Sequence, residues 1–373
     1  MSRVSCILVM LVFTSGGCNQ SEQAAPEAQL SRQAQSAVET SNAAWELWWH
    51  DRDVAAIQQG NQALQQFSAV EAELASAPAS AALAQARLAQ ARCALLREEW
   101  PDCSRWSGQA ISIYRDLLPA TSPERLQAEI LEAYSRFQQA QDAESFAELE
   151  RVLQAQLAQG DSPEACISLM WLGRTLAELA RNRESRERYE ELTQMGQRLE
   201  EPLFELHGQL GVATQWNAAG YSEKARALLE QVRARIRALR AAQRYPELSQ
   251  FGLEVEWTWA DLPGQETTAV AALREQVAGS YLTLAEQFTD ANSPASAAWA
   301  YRHRSLVLNQ LEKYDEATAT IKQAITLSEE LNDPRLEAIF HWNHGSILAA
   351  QKKTSEALAE LQQTLELAQQ VGR

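Results

Sequence analysis

Prolines recur along this chain at a nearly constant spacing, and that spacing constrains the fold more than any other feature. Proline interrupts a helix because it lacks an N–H donor and its ring collides with the preceding turn. The recurring prolines are Pro78, Pro123, Pro163, Pro202, Pro246, Pro294 and Pro334. Successive members lie 45, 40, 39, 44, 48 and 40 residues apart. A period near 40 with helix breakers at its edges predicts an array of stacked repeats.

The composition favours an all-helical chain. Ala, Gln, Leu, Glu and Arg dominate the sequence, and these residues are strong helix formers, whereas only 15 of the 373 residues are glycine. No stretch alternates apolar and polar residues long enough to indicate a sheet. The chain is too long for one compact core, but repeats avoid this limit because each unit packs on its neighbours. We therefore expect an all-α solenoid of about eight antiparallel helical hairpins.

The net charge of −16 limits the classes of partner. A general nucleic-acid binder needs a basic face that displaces phosphate counterions. An acidic protein of this kind repels nucleic acid and anionic membrane surfaces at long range. We therefore expect a protein or peptide partner and no nucleic acid.

The N-terminus differs from the rest of the chain. One positive charge precedes the apolar stretch 4–13, which is too short to span a bilayer and suits a signal peptide. Gly16 and Gly17 then precede Cys18, and the segment resembles a bacterial lipoprotein signal. The resemblance implies a signal peptide at 1–18, a lipid anchor on Cys18 and a flexible linker at 19–29. The protein would then lie in the cell envelope on the periplasmic side; with an uncleaved N-terminus it would be cytoplasmic.

Three cysteines remain after such processing: Cys93, Cys103 and Cys166. An odd number does not make a disulfide framework. Cys93 and Cys103 fall on adjacent predicted helices, so they could pair in an exported protein. The alternative is that both are small buried apolar residues, as cysteine often is.

A pair of small residues twelve positions apart recurs in the repeats at 30–373. The first member lies near the centre of one predicted helix, and the second lies early in the next. The pairs are Ala44 and Ala56, Ala91 and Cys103, Ala133 and Ser145, Gly173 and Ser185, Ala213 and Ala225, Ser305 and Ala317, and Gly345 and Ala357. Two antiparallel helices approach closely only where side chains are small, so the pairs mark the crossing points of hairpins.

This pattern resembles the tetratricopeptide repeat (TPR) family. That family also often has an aromatic residue three positions before the second small residue, where Trp100 and Tyr314 stand here. The period exceeds the ~34 residues of the family, so the helices should be longer. Residues 245–290 lack a clean small-residue pair and turn at Pro263. The resemblance covers about 30–371 and implies a right-handed superhelix.

The resemblance also implies where a partner would bind. In TPR proteins the concave surface is lined by positions of the first helix that point away from the second. The corresponding residues here are Tyr134, Arg174, Asn217, Arg302, Asn309 and Trp342.

An arginine stripe follows one face of a single predicted helix. Its members step by three, four or seven residues and are Arg226, Arg233, Arg237, Arg240 and Arg244. Arginine binds carboxylates bidentately, so the stripe could dock an acidic partner segment. Alternatively it is a solvated face that pairs with Glu223, Glu230 and Glu247.

Chemistry-bearing motifs are sparse. The sequence has no G-x-S-x-G, no P-loop and no dinucleotide-binding glycines, and we find no cluster of titratable groups. His341 and His344 could share a metal at i, i+3, but no nearby acidic or cysteine ligand completes such a site. We therefore expect no metal, no cofactor and no enzyme. The eleven tryptophans should mostly fill the core, with some serving as interface anchors.

Three functional hypotheses remain. The first is an exported, lipid-anchored scaffold that binds a protein or peptide in its concave groove, touching membrane only through its anchor. The second is a cytoplasmic regulatory or sensor module of a signalling or transcription system. The third, an enzyme with a site across the groove, needs clustered titratable groups.

Overall fold

A computed structural model describes residues 30–140, 143–264 and 267–370, and all the regular secondary structure in them is α-helical. These residues form sixteen helices, which pair into eight hairpins. The helices are α1 (Arg32–Trp49), α2 (Asp53–Ser76), α3 (Ala81–Leu96), α4 (Trp100–Leu117), α5 (Pro123–Ala140), α6 (Ala143–Leu157), α7 (Pro163–Glu178), α8 (Asn182–Arg198), α9 (Pro202–Ala218), α10 (Ser222–Ala241), α11 (Gln250–Ala260), α12 (Thr268–Asp290), α13 (Pro294–Gln310), α14 (Tyr314–Leu331), α15 (Pro334–Ala350) and α16 (Thr354–Gln370). The prediction of an all-α solenoid is confirmed.

The proline rhythm marks the start of hairpins. Five helices begin at a recurring proline, namely α5, α7, α9, α13 and α15. Proline suits that position because its missing N–H would have no intrahelical partner there. In α7 the preceding Ser162 also caps the helix, since its Oγ accepts the Ala165 N–H at 3.1 Å. Pro78 and Pro246 lie instead in the connections before α3 and α11.

Turns within the described hairpins repeat one hydrogen-bond pattern. In six of them a backbone N–H donates to the carbonyl five residues earlier, which is the Schellman arrangement. The residue before the donor is left-handed, with φ between 53° and 82°. These left-handed residues are Asp51, Glu98, Ala180, Gly220, Glu312 and Lys352. Only one is glycine, so the other five accept a conformation that L residues rarely adopt.

The small-residue pairs lie where predicted, at the buried crossings of the hairpins. In α7 and α8, Ser185 Oγ donates to the Gly173 carbonyl at 2.7 Å, which places the two backbones in near contact. A methyl group added at Gly173 would stand 3.0 Å from the Tyr189 ring. The crossing is therefore filled, and a larger residue at Gly173 would need Tyr189 to move.

The solenoid also makes contacts that a simple repeat array lacks. Asn61 of α2 donates to the Ala291 carbonyl at 2.6 Å, 230 residues away. The Trp299 indole of α13 donates to Glu98 at 2.8 Å. Each helix still packs mainly on its sequence neighbours. These distant contacts join the first hairpins to the second half of the chain across the superhelix, so the concave surface encloses a lumen.

The three described cysteines are buried free thiols, and Cys93 and Cys103 are not paired. Both match the alternative of small buried residues. Among the residues described here, no helix is long and apolar enough to cross a membrane. The signal and lipidation predictions concern Cys18 and residues 1–29, which lie outside the described residues.

Candidate functional site

The lumen is a cavity of about 790 Å³ at the centre of the superhelix. Its wall combines residues from both halves of the chain, from α1 through α15. That volume lies within the range of about 300–1,000 Å³ found for ligand pockets. Because distant hairpins meet around it, the lumen is the place where this solenoid could enclose a ligand.

One wall of the lumen is a chain of aromatic rings. Tyr134 stacks on Trp171 with ring centroids 4.6 Å apart and an interplanar angle of 6°. Trp48 continues this series beyond Trp171 at 6.3 Å, and Trp100 meets the edge of Tyr134 at 5.9 Å. The small residues at the hairpin crossings bring the helices close enough for these rings to touch. The result is a flat, polarisable surface that suits apolar or aromatic groups.

Two indole donors on this wall have no acceptor. The Nε1–H groups of Trp49 and Trp100 are buried, and neither makes a hydrogen bond with the described residues. Trp100 is only 8% exposed. A buried donor without a partner costs about 1–3 kcal/mol, and because protein covers both donors, a ligand would reach them only if neighbouring side chains moved.

Charged side chains of both signs also face the lumen. The carboxylates are Asp51, Asp53, Glu98, Glu178 and Glu254, and the guanidinium groups are Arg174, Arg302 and Arg335. Arg174 keeps 55% of its side-chain surface accessible although protein surrounds it, because it projects into the open lumen. The lumen can therefore complement both an acidic and a basic group.

Three side chains form what we call the clasp, which joins the α1–α2 turn to α9 and α11. His207 Nε2 lies 3.2 Å from Asp51 Oδ1, and Asp53 Oδ2 accepts the N–H of Gln250, the first residue of α11, at 3.2 Å. Asp51 is only 5% exposed. The clasp therefore holds the first hairpin against the middle of the solenoid.

The clasp shifts two pKa values upward. Burial and the nearby Asp51 charge raise the pKa of Asp53 to about 7. Burial opposes the charge of His207, but the charge and hydrogen bond of Asp51 outweigh it, so the pKa of His207 rises. Asp53 thus changes charge near neutral pH, and His207 keeps its proton to a higher pH than a free imidazole does.

The charges of Arg174 and Arg302 influence the electrostatic potential over the rest of the lumen wall. Burial raises the pKa of Glu98 and Glu254, while the Arg174 charge opposes the rise in both. Burial and the like charge of Arg174 lower the pKa of Arg302 to about 10. Arg302 also lies over the Trp299 ring at 5.2 Å, and its Nε has no partner. Arg174 pairs with Glu178 at 3.3 Å, whereas Arg302 forms no ion pair with the described residues, so Arg302 favours an anionic group of a ligand.

Of the six predicted partner-binding residues, three line the lumen and three do not. Tyr134, Arg174 and Arg302 line the lumen together. Outside its lining lie Asn217, whose Oδ1 accepts the Ser222 hydroxyl at 2.9 Å, and Asn309, near the end of α13. Trp342 is 53% exposed on α15 and also lies outside the lining.

Residues of the arginine stripe form hydrogen bonds and an ion pair with the irregular sixth hairpin. Arg226 donates to the Pro263 carbonyl at 2.7 Å and also pairs with the predicted partner Glu223 at 2.6 Å. Arg233 pairs with Glu256 at 2.7 Å and lies over the Trp259 ring at 4.0 Å.

At the other end of the stripe, Arg240 donates to the Pro246 carbonyl at 3.2 Å. Arg237 and Arg244 are exposed, and for them the docking of an acidic segment stays a prediction.

Two expectations about titratable groups were wrong. The sequence pattern predicted no cluster of titratable groups, but the three clasp residues and Glu254 lie together on the lumen wall. They come from a turn and from helices more than 150 positions apart, so spacing along the chain could not reveal them. Acidic groups also lie beside His341, where none was expected: Glu337 stands 3.7 Å from it and Glu360 comes from α16.

The cysteines do not supply a nucleophile to the lumen. Burial raises the pKa of Cys93 to about 11 and that of Cys103 and Cys166 to about 12. Such thiols stay protonated at neutral pH, and the thiolate is the reactive form. None of the three lines the lumen.

The fold is similar to that of several solved regulators. The Rap conjugation gene regulator of plasmid pLS20, in complex with the Phr* peptide, aligns with a TM-score of 0.59 at 11% identity, covering 90% of this chain and 96% of that one. The apo quorum sensor NprR from B. thuringiensis aligns at 0.58 and 11% identity, covering 91% and 89%. A Rap protein complexed with Competence and Sporulation Factor aligns at 0.51 and 12%, covering 91% and 99%.

These similarities define a TPR-like helical repeat fold. No protein-family profile matches the sequence, and no curated protein matches it either.

Proposed function

We propose that this protein is a non-catalytic binding module that takes a short peptide into its lumen. The observation that carries the proposal is the composition of the lumen wall: an aromatic surface and charges of both signs around about 790 Å³. An extended peptide offers the matching groups, since its carbonyls accept hydrogen bonds, its apolar side chains pack on aromatic rings and its termini carry opposite charges.

The similar folds support a peptide as the occupant. Two of the solved regulators are described in complex with a peptide or a factor, and the third is called a quorum sensor. Preformed repeat surfaces bind such ligands with little loss of conformational freedom. The lumen also has two candidate poles, with Arg302 and Arg174 suited to a carboxylate and the lining carboxylates Glu98 and Glu254 suited to a cationic group.

Selection of peptides on the purified protein tests the proposal. A random heptapeptide library would be selected on the wild type, and the enriched peptides would be measured by calorimetry. We expect Arg302→Ala to weaken their binding at least tenfold, because a charged hydrogen bond of about 1.5–3 kcal/mol is lost. Asn309→Ala is the matched control on the same helix, and it should leave the affinity unchanged.

The two variants also separate the lumen from the rest of the concave surface. If Asn309→Ala weakens the peptides and Arg302→Ala does not, the site lies outside the lumen. Enrichment of no peptide above the background of an unrelated helical protein would contradict the proposal altogether.

We further propose that the protein is exported and anchored by a lipid on Cys18. The support is the apolar stretch at 4–13 and the small residues before Cys18. Mass spectrometry of the native protein should find an N-terminus that begins at a diacylated Cys18, and Cys18→Ala should release the protein from the membrane fraction. An intact N-terminus in the cytoplasm would contradict export. It would favour the alternative of a cytoplasmic sensor module, which the likeness to regulators supports.

A further inference from the structure

A second polar cluster lies outside the lumen, where the last three helices meet. Glu329 of α14 and Glu337 and His341 of α15 each place one ligand atom within 4.8 Å of the others. His341 Nε2 lies 3.7 Å from Glu337 Oε1, because residues four apart share one face of a helix. In a tetrahedral shell with bonds of about 2.1 Å, neighbouring ligand atoms stand about 3.4 Å apart. The three groups are therefore close to the spacing that a single metal ion requires.

A fourth residue fixes the orientation of the histidine. Glu360 of α16 contacts His341 Nδ1 at 2.5 Å with its Oε2. A carboxylate here accepts the Nδ1–H, so the lone pair of the neutral ring lies on Nε2, on the side of Glu337. Histidine ligands of metals almost always donate their other ring N–H in this way. The contact therefore prepares His341 as a ligand.

His344 adds a second imidazole beside this cluster. It is only 4% exposed, and its Nδ1 stands 3.0 Å from Glu360 Oε1, so the same carboxylate lies beside both histidines. Its Nε2 is buried and has no hydrogen-bond partner among the described residues. A buried polar atom without a partner is uncommon, and it indicates that the polar groups around Glu360 are not all satisfied by the protein.

We infer that Glu329, Glu337 and His341 bind a divalent transition-metal ion of the zinc type, with Glu360 as the positioning residue for His341. One imidazole with two carboxylates suits Zn²⁺ better than Mg²⁺ or Ca²⁺, which prefer oxygen ligands alone. Three protein ligands leave a fourth position for water. Glu329 is exposed and gives the ion a path from solvent.

The bound ion would have a structural role. Glu329 lies in the last turn of α14, whose C-cap is Asn332, and Glu337 and His341 lie in the first half of α15. An ion shared by α14 and α15 would fix the angle between the seventh and eighth hairpins, because each helix belongs to a different one. Zinc should therefore stabilise the packing of these two hairpins without entering the lumen.

Calorimetric titration of the metal-free full chain with ZnCl₂ tests this site. We expect one equivalent to bind, and both Glu329→Gln and His341→Ala to weaken the binding at least tenfold. Glu360→Gln should weaken it about 10–100-fold, as loss of a positioning carboxylate does elsewhere. His50→Ala, which removes an exposed histidine of the first hairpin, should bind zinc like the wild type.

Far-UV circular dichroism shows whether each variant is folded, and Glu329→Gln changes only an exposed side chain. Absence of zinc binding by the folded wild type would overturn the inference. Equal binding by the wild type and Glu329→Gln would also overturn it, as would loss of binding in His50→Ala, because the ion would then sit on surface histidines.

Discussion

Replacing Trp171 by alanine is expected to lower the free energy of unfolding by about 3 kcal/mol or more. Trp171 is only 4% exposed and holds the aromatic wall together, because Tyr134 stacks on one side of it and Trp48 meets it on another. Alanine would leave a cavity beside the lumen that the rigid helices cannot fill. Urea unfolding followed by far-UV circular dichroism measures the change.

Trp342→Ala is the matched control for this prediction. Trp342 is 53% exposed on α15, so its removal should alter the free energy of unfolding by no more than about 0.5 kcal/mol. A loss below about 1 kcal/mol for Trp171→Ala would contradict the role given to the aromatic wall. Since Trp342 is also a predicted binding residue, weaker peptide binding by a stable Trp342→Ala protein would place an anchor outside the lumen.

Much of the fold could be predicted because its causes are local. Prolines such as Pro163 begin helices, and small residues such as Gly173 and Ser185 mark crossings twelve positions apart. Each of these signals depends on residues within one hairpin. The repeat pattern therefore predicted the number of helices and their pairing, including the irregular sixth unit with its turn at Pro263.

The lumen could not be predicted because its causes are distant. The contact of Asp51 with His207 joins residues 156 positions apart, and it depends on the small rotation between successive hairpins accumulated over the solenoid. The spacing of residues along the chain does not reveal this accumulated rotation. Three of the six predicted binding residues consequently lie outside the lumen wall.

The left-handed turn residues did not reveal the lumen either. Asp51 and Glu98 stand at turn positions where the backbone is left-handed, with φ of 53° and 58°, and where glycine would be less strained. Both carboxylates face the lumen, but Ala180, Glu312 and Lys352 are left-handed at the same turn position and lie outside its lining. The left-handed conformation therefore follows the repeated turn geometry, and it does not by itself distinguish the lumen residues.

The clasp should also make stability depend on pH, with the protein losing stability as the pH rises from about 4 to 8. Asp53 has an ordinary pKa of 3.8 but titrates near 7 in the folded protein, so between these values ionisation favours the unfolded chain. The pKa of His207 is raised on folding, so its contribution is complete below 6.5 and is lost as the pH rises through the folded value. The two effects have the same sign.

Asp53→Asn isolates the larger of these effects. Asparagine keeps an oxygen that can accept the Gln250 N–H but adds no charge beside Asp51, so the penalty on Asp53 ionisation disappears. The quantity to compare is the Tm of Asp53→Asn minus the Tm of the wild type. This difference should be larger at pH 8 than at pH 4 by about 3 °C or more. Asp116→Asn, at an exposed position of α4, should follow the wild-type curve at every pH. If the curve of Asp53→Asn also runs parallel to the wild type, the Asp53 carboxylate is not held near neutral pH, and the clasp does not oppose its ionisation.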